Sequence, residues 1–117
     1  MLHGSELEML NVAAIIAAQH HERYDGNGYP AGLQGEAIHI YARITAIADV
    51  FDALGSDRVY KKSWPLPEII AYFEQQRGKQ FDPGLTDLFL SHMEQMLAIR
   101  EEFFDIVLVP GEEKKLR

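Results

Sequence analysis

His20-His21-Glu22-Arg23-Tyr24-Asp25-Gly26-Asn27-Gly28-Tyr29-Pro30-Ala31-Gly32-Leu33-Gln34-Gly35 is the stretch on which the reading of this chain turns. Four glycines and one proline between Tyr24 and Gly35 prevent regular structure there. They predict a compact, ordered loop of the kind that carries function. The stretch opens at the end of an apolar run. Leu7, Leu10, Ala14, Ala17 and His21 fall at helical spacing on one face, which predicts a helix from about Ser5 to Arg23. Val12, Ala13, Ile15 and Ile16 are apolar too, and a helix apolar on most sides reads as a buried one.

Downstream, a second helix is predicted from about Tyr41 to Ser56. Ile44, Ile47, Ala48, Phe51 and Leu54 make its core stripe, and Thr45, Asp49, Asp52 and Ser56 make a polar stripe beside it. A third helix starts near Pro65 or Pro67 and stops at Gly78. A fourth begins with Asp82 as N-cap and Pro83 in the first turn. Its apolar face comprises Leu85, Leu88, Phe89, His92, Met93 and Met96. A short further helix covers Ile99 to Val107, with a strand at Ile106–Val109 as the open alternative. No other segment alternates with period two, so the class is all-α with four to five helices.

Bulk properties narrow the function. The chain has 117 residues, 47% hydrophobic and 25% charged, which suits one globular domain. That domain is read as residues 1–109, followed by a charged tail, 110–117. There is no cysteine, hence no disulfide and no thiolate metal site, in keeping with a cytoplasmic setting. The longest apolar run, Val12 to Ala18, is seven residues and far short of a membrane span. A net charge of −7 disfavours general nucleic-acid binding but permits a small anionic ligand where basic residues converge.

Several residues can carry chemistry. Adjacent residues on a helix point about 100° apart, so His20 and His21 suit two neighbouring ions, or one ion and a phosphate, better than one shared ion. Histidines placed to meet a helix dipole are the plainer explanation. Asp49 lies among Ile47, Ala48, Val50 and Phe51, where a carboxylate needs a metal ion or a salt bridge to Arg43 or Arg58. Asp52 and Glu22 are read as carboxylates that orient ligands or serve structure. Arg58 and Lys61 are spaced to grip two phosphate oxygens, against the alternative of a solvated basic turn. Tyr24, Tyr29 and Trp64 can stack on a base or simply pack. His92 is read as a core-edge residue, and His3 and His39 show no partner.

The order and spacing of these residues resemble the HD-GYP family. The pattern HHE-x-x-DG-x-GYP-x-GL-x-G at His20 to Gly35 is followed by Arg43-Ile44, by Ala48-Asp49-Val50-Phe51-Asp52-Ala53-Leu54, and by Arg58 with Tyr60-Lys61. Phe81-Asp82-Pro83 fits as well, so the resemblance spans roughly Leu2 to Phe89. It implies a helical bundle of the HD type that hydrolyses cyclic di-GMP with two or three iron or manganese ions bridged by hydroxide. His20, His21 and Asp49 resemble its metal ligands, and Arg58 and Lys61 its phosphate-contacting catalytic residues. Gly28-Tyr29-Pro30 resembles the segment that shapes the substrate pocket, through Tyr29, or docks diguanylate cyclase (GGDEF) domains. The chemistry is coherent, because paired metal ions generate hydroxide at neutral pH and basic side chains offset charge growing on phosphoryl oxygens. The family's His-Asp doublet has no counterpart, since no His-Asp dipeptide occurs. The expectation is therefore a C-terminal part of such a domain, weak in metal binding and inactive alone. Exposed apolar helix faces would drive its self-association. A non-catalytic docking module and a phosphohydrolase of another nucleotide are the alternatives.

Overall fold

The computed structural model describes residues 4–57 and 62–107, with side chains up to Glu102. It is all-α: α1 Gly4–Gln19, α2 Ile40–Gly55, α3 Leu66–Gln76, α4 Pro83–Ser91 and α5 Met93–Val107, with a short 3-10 turn at Gly35–Ala37. Among the described residues no strand forms; Arg77 and Phe81 make one isolated bridge.

The core lies between α2 and α5. Ile47, Phe51 and Leu54 of α2 meet Ile69 and Phe73 of α3, with Phe81 and Met93 closing the cluster. Phe73 is fully buried, with ring centroids 4.9 Å from Phe81 and 5.1 Å from Phe89. The aromatic rings account for much of the apolar burial here. Trp64 joins this core edge-on to Tyr72, so packing explains it.

Four expectations are corrected. No residue of α1 is buried. Its main neighbour is α2, so Leu7, Met9 and Leu10 stay about half exposed or more. An apolar sequence states a need for neighbours without supplying them. On α2 the buried set is Ala42, Ile47, Phe51 and Leu54, while Ile44 and Ala48 are exposed. The fourth helix ends at Ser91, and Leu88 and His92 are exposed; His92 Nδ1 lies 2.9 Å from the Leu88 carbonyl. Thr86 is the buried position instead, its hydroxyl donating to the Asp82 carbonyl at 2.7 Å. The short final helix is one longer element, α5, and the Ile106–Val109 alternative runs partly outside the described residues. The 110–117 tail and His3 lie outside them altogether.

Asp82 does more than start α4. Its Oδ1 accepts from the Leu85 N–H at 3.0 Å, and its Oδ2 accepts from Arg43 Nη1 at 2.6 Å across 39 residues. Burial pushes its pKa up, but the Leu85 amide and the Arg43 guanidinium outweigh that and hold it below 3.8. A depressed folded-state pKa contributes stability that is present above the unfolded value and lost as pH falls through the folded one. The Arg43 contribution is therefore present above the ordinary carboxylate range and lost progressively as pH falls through the lowered folded value. Asp82→Asn keeps the cap and loses the charge. It should cost about 1–3 kcal/mol at neutral pH and shrink the acid-induced loss, measured by urea unfolding at several pH values.

Candidate functional site

The first helix stops at Gln19 rather than running to Arg23, so His20 and His21 sit in a turn. The turn is closed by Glu22 N–H donating to the Gln19 carbonyl at 2.9 Å. Leaving the helix lets the two imidazoles approach to 3.9 Å between ring centroids, which helical geometry would oppose. Gln19 also ties α1 to α2: its Oε1 accepts from the His39 N–H at 2.7 Å, and His39 caps α2 by accepting from Tyr41 N–H at 3.1 Å. His39, without an evident partner in sequence, is thus a helix cap.

The His20 tautomer follows from its partner. Its Nδ1 lies 2.9 Å from the Ile16 carbonyl, and a carbonyl only accepts. Nδ1 therefore donates, and in the neutral ring the lone pair is on Nε2. Metal-ligating histidines adopt this arrangement, with one nitrogen donating to an oxygen and the other free.

Glu22 organises the loop. Its residue exposure is 5%, and its two carboxylate oxygens accept from Ala31 N–H and Leu33 N–H, each at 2.8 Å. Gly28 packs so closely on the His20–Arg23 turn that a Cβ there would stand 2.6 Å from the His21 carbonyl oxygen. Tyr29, after Gly28 and before a cis Pro30, stacks on His21 at 5.0 Å and 16°. It remains 62% exposed. Gly28-Tyr29-Pro30 is thereby fastened onto the histidine turn. The loop is tied to the α3–α4 turn as well, through Tyr24 N–H to Gln80 O at 3.2 Å and Asp25 N–H to Lys79 O at 2.8 Å.

An open cleft of 340 Å³ is lined by His20, His21, Glu22, Arg23, Tyr29, Ala46, Asp49, Val50 and Gln80. Three sequence-predicted ligands, His20, His21 and Asp49, thus border one space. Asp49 is exposed, not buried in an apolar helix as its neighbours suggested. The alternative salt bridge with Arg43 does not form, because Arg43 binds Asp82. Asp52 is exposed, lies outside the cleft lining and accepts from the Ser56 hydroxyl at 3.3 Å. Arg58 and Lys61 lie outside the described residues. Their described flanks are tied, with Ser63 N–H donating to Asp57 Oδ1 at 2.7 Å and Trp64 N–H to Leu54 O at 2.8 Å. Arg23 and Gln80 were not anticipated. Their signal is positional, one beside the histidine pair and the other beside Phe81-Asp82-Pro83.

Among the described residues, no three His, Asp or Glu side chains approach closely enough to hold one ion. The donors present do not fit a complete metal centre; they border the cleft without closing on a point.

Residues 1–85 match the HD domain family. The chain belongs to that family, in its HD-GYP branch. It is 49% identical over 111 residues to a cyclic di-GMP phosphodiesterase response regulator of Xanthomonas campestris pv. campestris (strain 8004), across 95% of this chain and 29% of that protein. It is 48% identical over 105 residues to the 3'3'-cGAMP-specific phosphodiesterase 2 of Vibrio cholerae, across 90% of this chain and 20% of that protein. The solved structure of the V. cholerae cyclic GMP-AMP specific phosphodiesterase V-cGAP3 matches with a TM-score of 0.54 at 21% identity, over 92% of this chain and 26% of that one. At that identity the match speaks for the fold alone. No helix among the described residues is long and apolar enough to cross a membrane.

Proposed function

We propose that this chain forms one wall of the active site of a metal-dependent phosphodiesterase acting on cyclic di-GMP in bacterial cytoplasmic signalling. The observation that carries the reading is the shared cleft of His20, His21 and Asp49, with Glu22 fixing the loop beside it. The names of the relatives support the reaction class. In this reading His20, His21 and Asp49 supply part of a donor set for iron or manganese, and the remaining donors come from outside this stretch. Arg58 and Lys61 neutralise the phosphate, and Tyr29 meets the substrate from the loop. In this reading the stretch alone does not turn over substrate, since it supplies part of the donor set and not the whole of it.

A second reading, with 3'3'-cGAMP as substrate, is favoured by one observation: relatives with the two names are nearly equally similar, at 49% and 48%. The test is hydrolysis of both dinucleotides by the longest gene product that carries this chain, loaded with iron or with manganese. Turnover of cyclic di-GMP is expected, with Asp49→Asn about 10- to 100-fold slower. Preference for 3'3'-cGAMP selects the second reading. No turnover with either metal rejects both, and leaves exposed Tyr29 as a docking residue for diguanylate cyclase (GGDEF) domains.

A further inference from the structure

We infer that Arg23, braced by Asp25 and flanked by Gln80, holds a non-bridging oxygen of the phosphodiester in the cleft. The inference rests on the reading above and adds a substrate contact to it. Arg23 is the only cationic side chain among the described residues that line the cleft, where Glu22 and Asp49 supply carboxylates. A phosphodiester anion entering between carboxylates requires a positive counterpart on that wall.

The guanidinium is oriented before any ligand arrives. Its Nε and Nη2 donate to the two oxygens of Asp25, at 3.2 and 3.0 Å. Asp25 is itself fixed, by Asn27 N–H donating to Oδ1 at 2.9 Å and by its own N–H donating to the Lys79 carbonyl. The Arg23 guanidinium lowers the Asp25 pKa, joined by the Asn27 amide, so the brace stays ionised at neutral pH. Nη1 makes no hydrogen bond to a described residue, so both of its N–H groups remain for a ligand. A loop staple would need only the Asp25 pair. It does not account for Arg23 lining the cleft while Asp25 does not.

Gln80 repeats the pattern. Its Oε1 accepts from the Tyr72 hydroxyl at 2.6 Å, and its amide nitrogen has no described partner. The wall thus presents one charged and one neutral donor group, each held in place by its other end. That suits an oxygen-rich anion.

The test uses the longest gene product carrying this chain, metal-loaded, with cyclic di-GMP as probe. Arg23→Ala should raise KM about 10- to 100-fold, as expected for a hydrogen bond to a charged group, with kcat changed far less. Arg23→Lys keeps the charge but loses the planar fork, and should fall between. The double variant Arg23→Ala with Asp25→Ala leaves no orphaned carboxylate and should reproduce the KM effect. Added salt should raise the wild-type KM more than the variant's. A double variant with a lower melting temperature but wild-type KM and salt response makes the pair a staple and overturns the inference. Absence of wild-type turnover overturns the proposed function, and this contact with it.

Discussion

Glu22→Ala releases the loop from the histidine turn, and the expected loss of stability is about 2–4 kcal/mol. The wild-type carboxylate is nearly inaccessible to solvent and accepts two backbone N–H groups, nine and eleven residues further on. A hydrogen bond to a charged acceptor contributes roughly 1.5–3 kcal/mol, and the partly solvated loop recovers some of that by binding water. A domain of this size has about 5–15 kcal/mol in total, so a large share is at stake. Glu22→Gln keeps one acceptor but turns an N–H₂ toward the other amide, and should lose about half as much. Glu22→Asp is one methylene shorter and should behave more like the alanine variant. Urea unfolding of the three variants orders them. A Glu22→Ala protein as stable as wild type would mean that the two amides find equal partners in water. If the proposed function holds, the longest gene product carrying Glu22→Ala should also lose turnover at temperatures where the fold is intact, because Tyr29 no longer has a fixed seat on His21.

Much of this architecture was legible beforehand. Asp82-Pro83 marked the start of α4 because a cap and a missing donor both belong at that position. The α2 stripe was readable at Ile47, Phe51 and Leu54, where burial follows the helical period. His20, His21 and Asp49 do border one cleft, a position that supports the proposed site without assigning their roles. What was hidden is set by contacts between distant segments. Arg43 looked available to Asp49, six residues away, yet binds Asp82, 39 residues away, because the fold seats that carboxylate at the head of α4. Glu22 was read as a carboxylate that orients ligands or serves structure, and its observed partners are two amides across a loop with no periodicity to reveal them. Arg23 was not singled out in the sequence, and only its tertiary position places it at the cleft. Apolar composition made α1 look buried, since composition records what a helix can bury and not what covers it.

Gly28→Ala should be at least as damaging to the loop as Glu22→Ala. The reason is space, not backbone angle, since Gly28 is not among the glycines with positive φ. A Cβ at this position would stand 2.6 Å from the His21 oxygen and 2.7 Å from the Glu22 carbonyl carbon, and closer still to the Arg23 nitrogen. All three are backbone atoms of the turn that carries the histidines, so no side chain can rotate away to make room. Gly78 is the control. It has φ of 77° but nothing within 4 Å of where a methyl group would stand, so alanine there costs only the left-handed backbone strain, roughly 1–2 kcal/mol. Gly28→Ala must instead move the loop off the turn, breaking the Glu22 bonds and the Tyr29–His21 stack together. A cost above about 4 kcal/mol is expected where the loop stays docked. Where it detaches, the stability loss is capped near that of Glu22→Ala. The two outcomes separate by combining urea unfolding with the NMR shifts of the His21 ring, which lose the Tyr29 ring-current contribution only on detachment. Either result makes Gly28 a point of contact between loop and turn. A Gly28→Ala protein with wild-type stability and an unchanged His21 ring environment would show that the close approach does not exist.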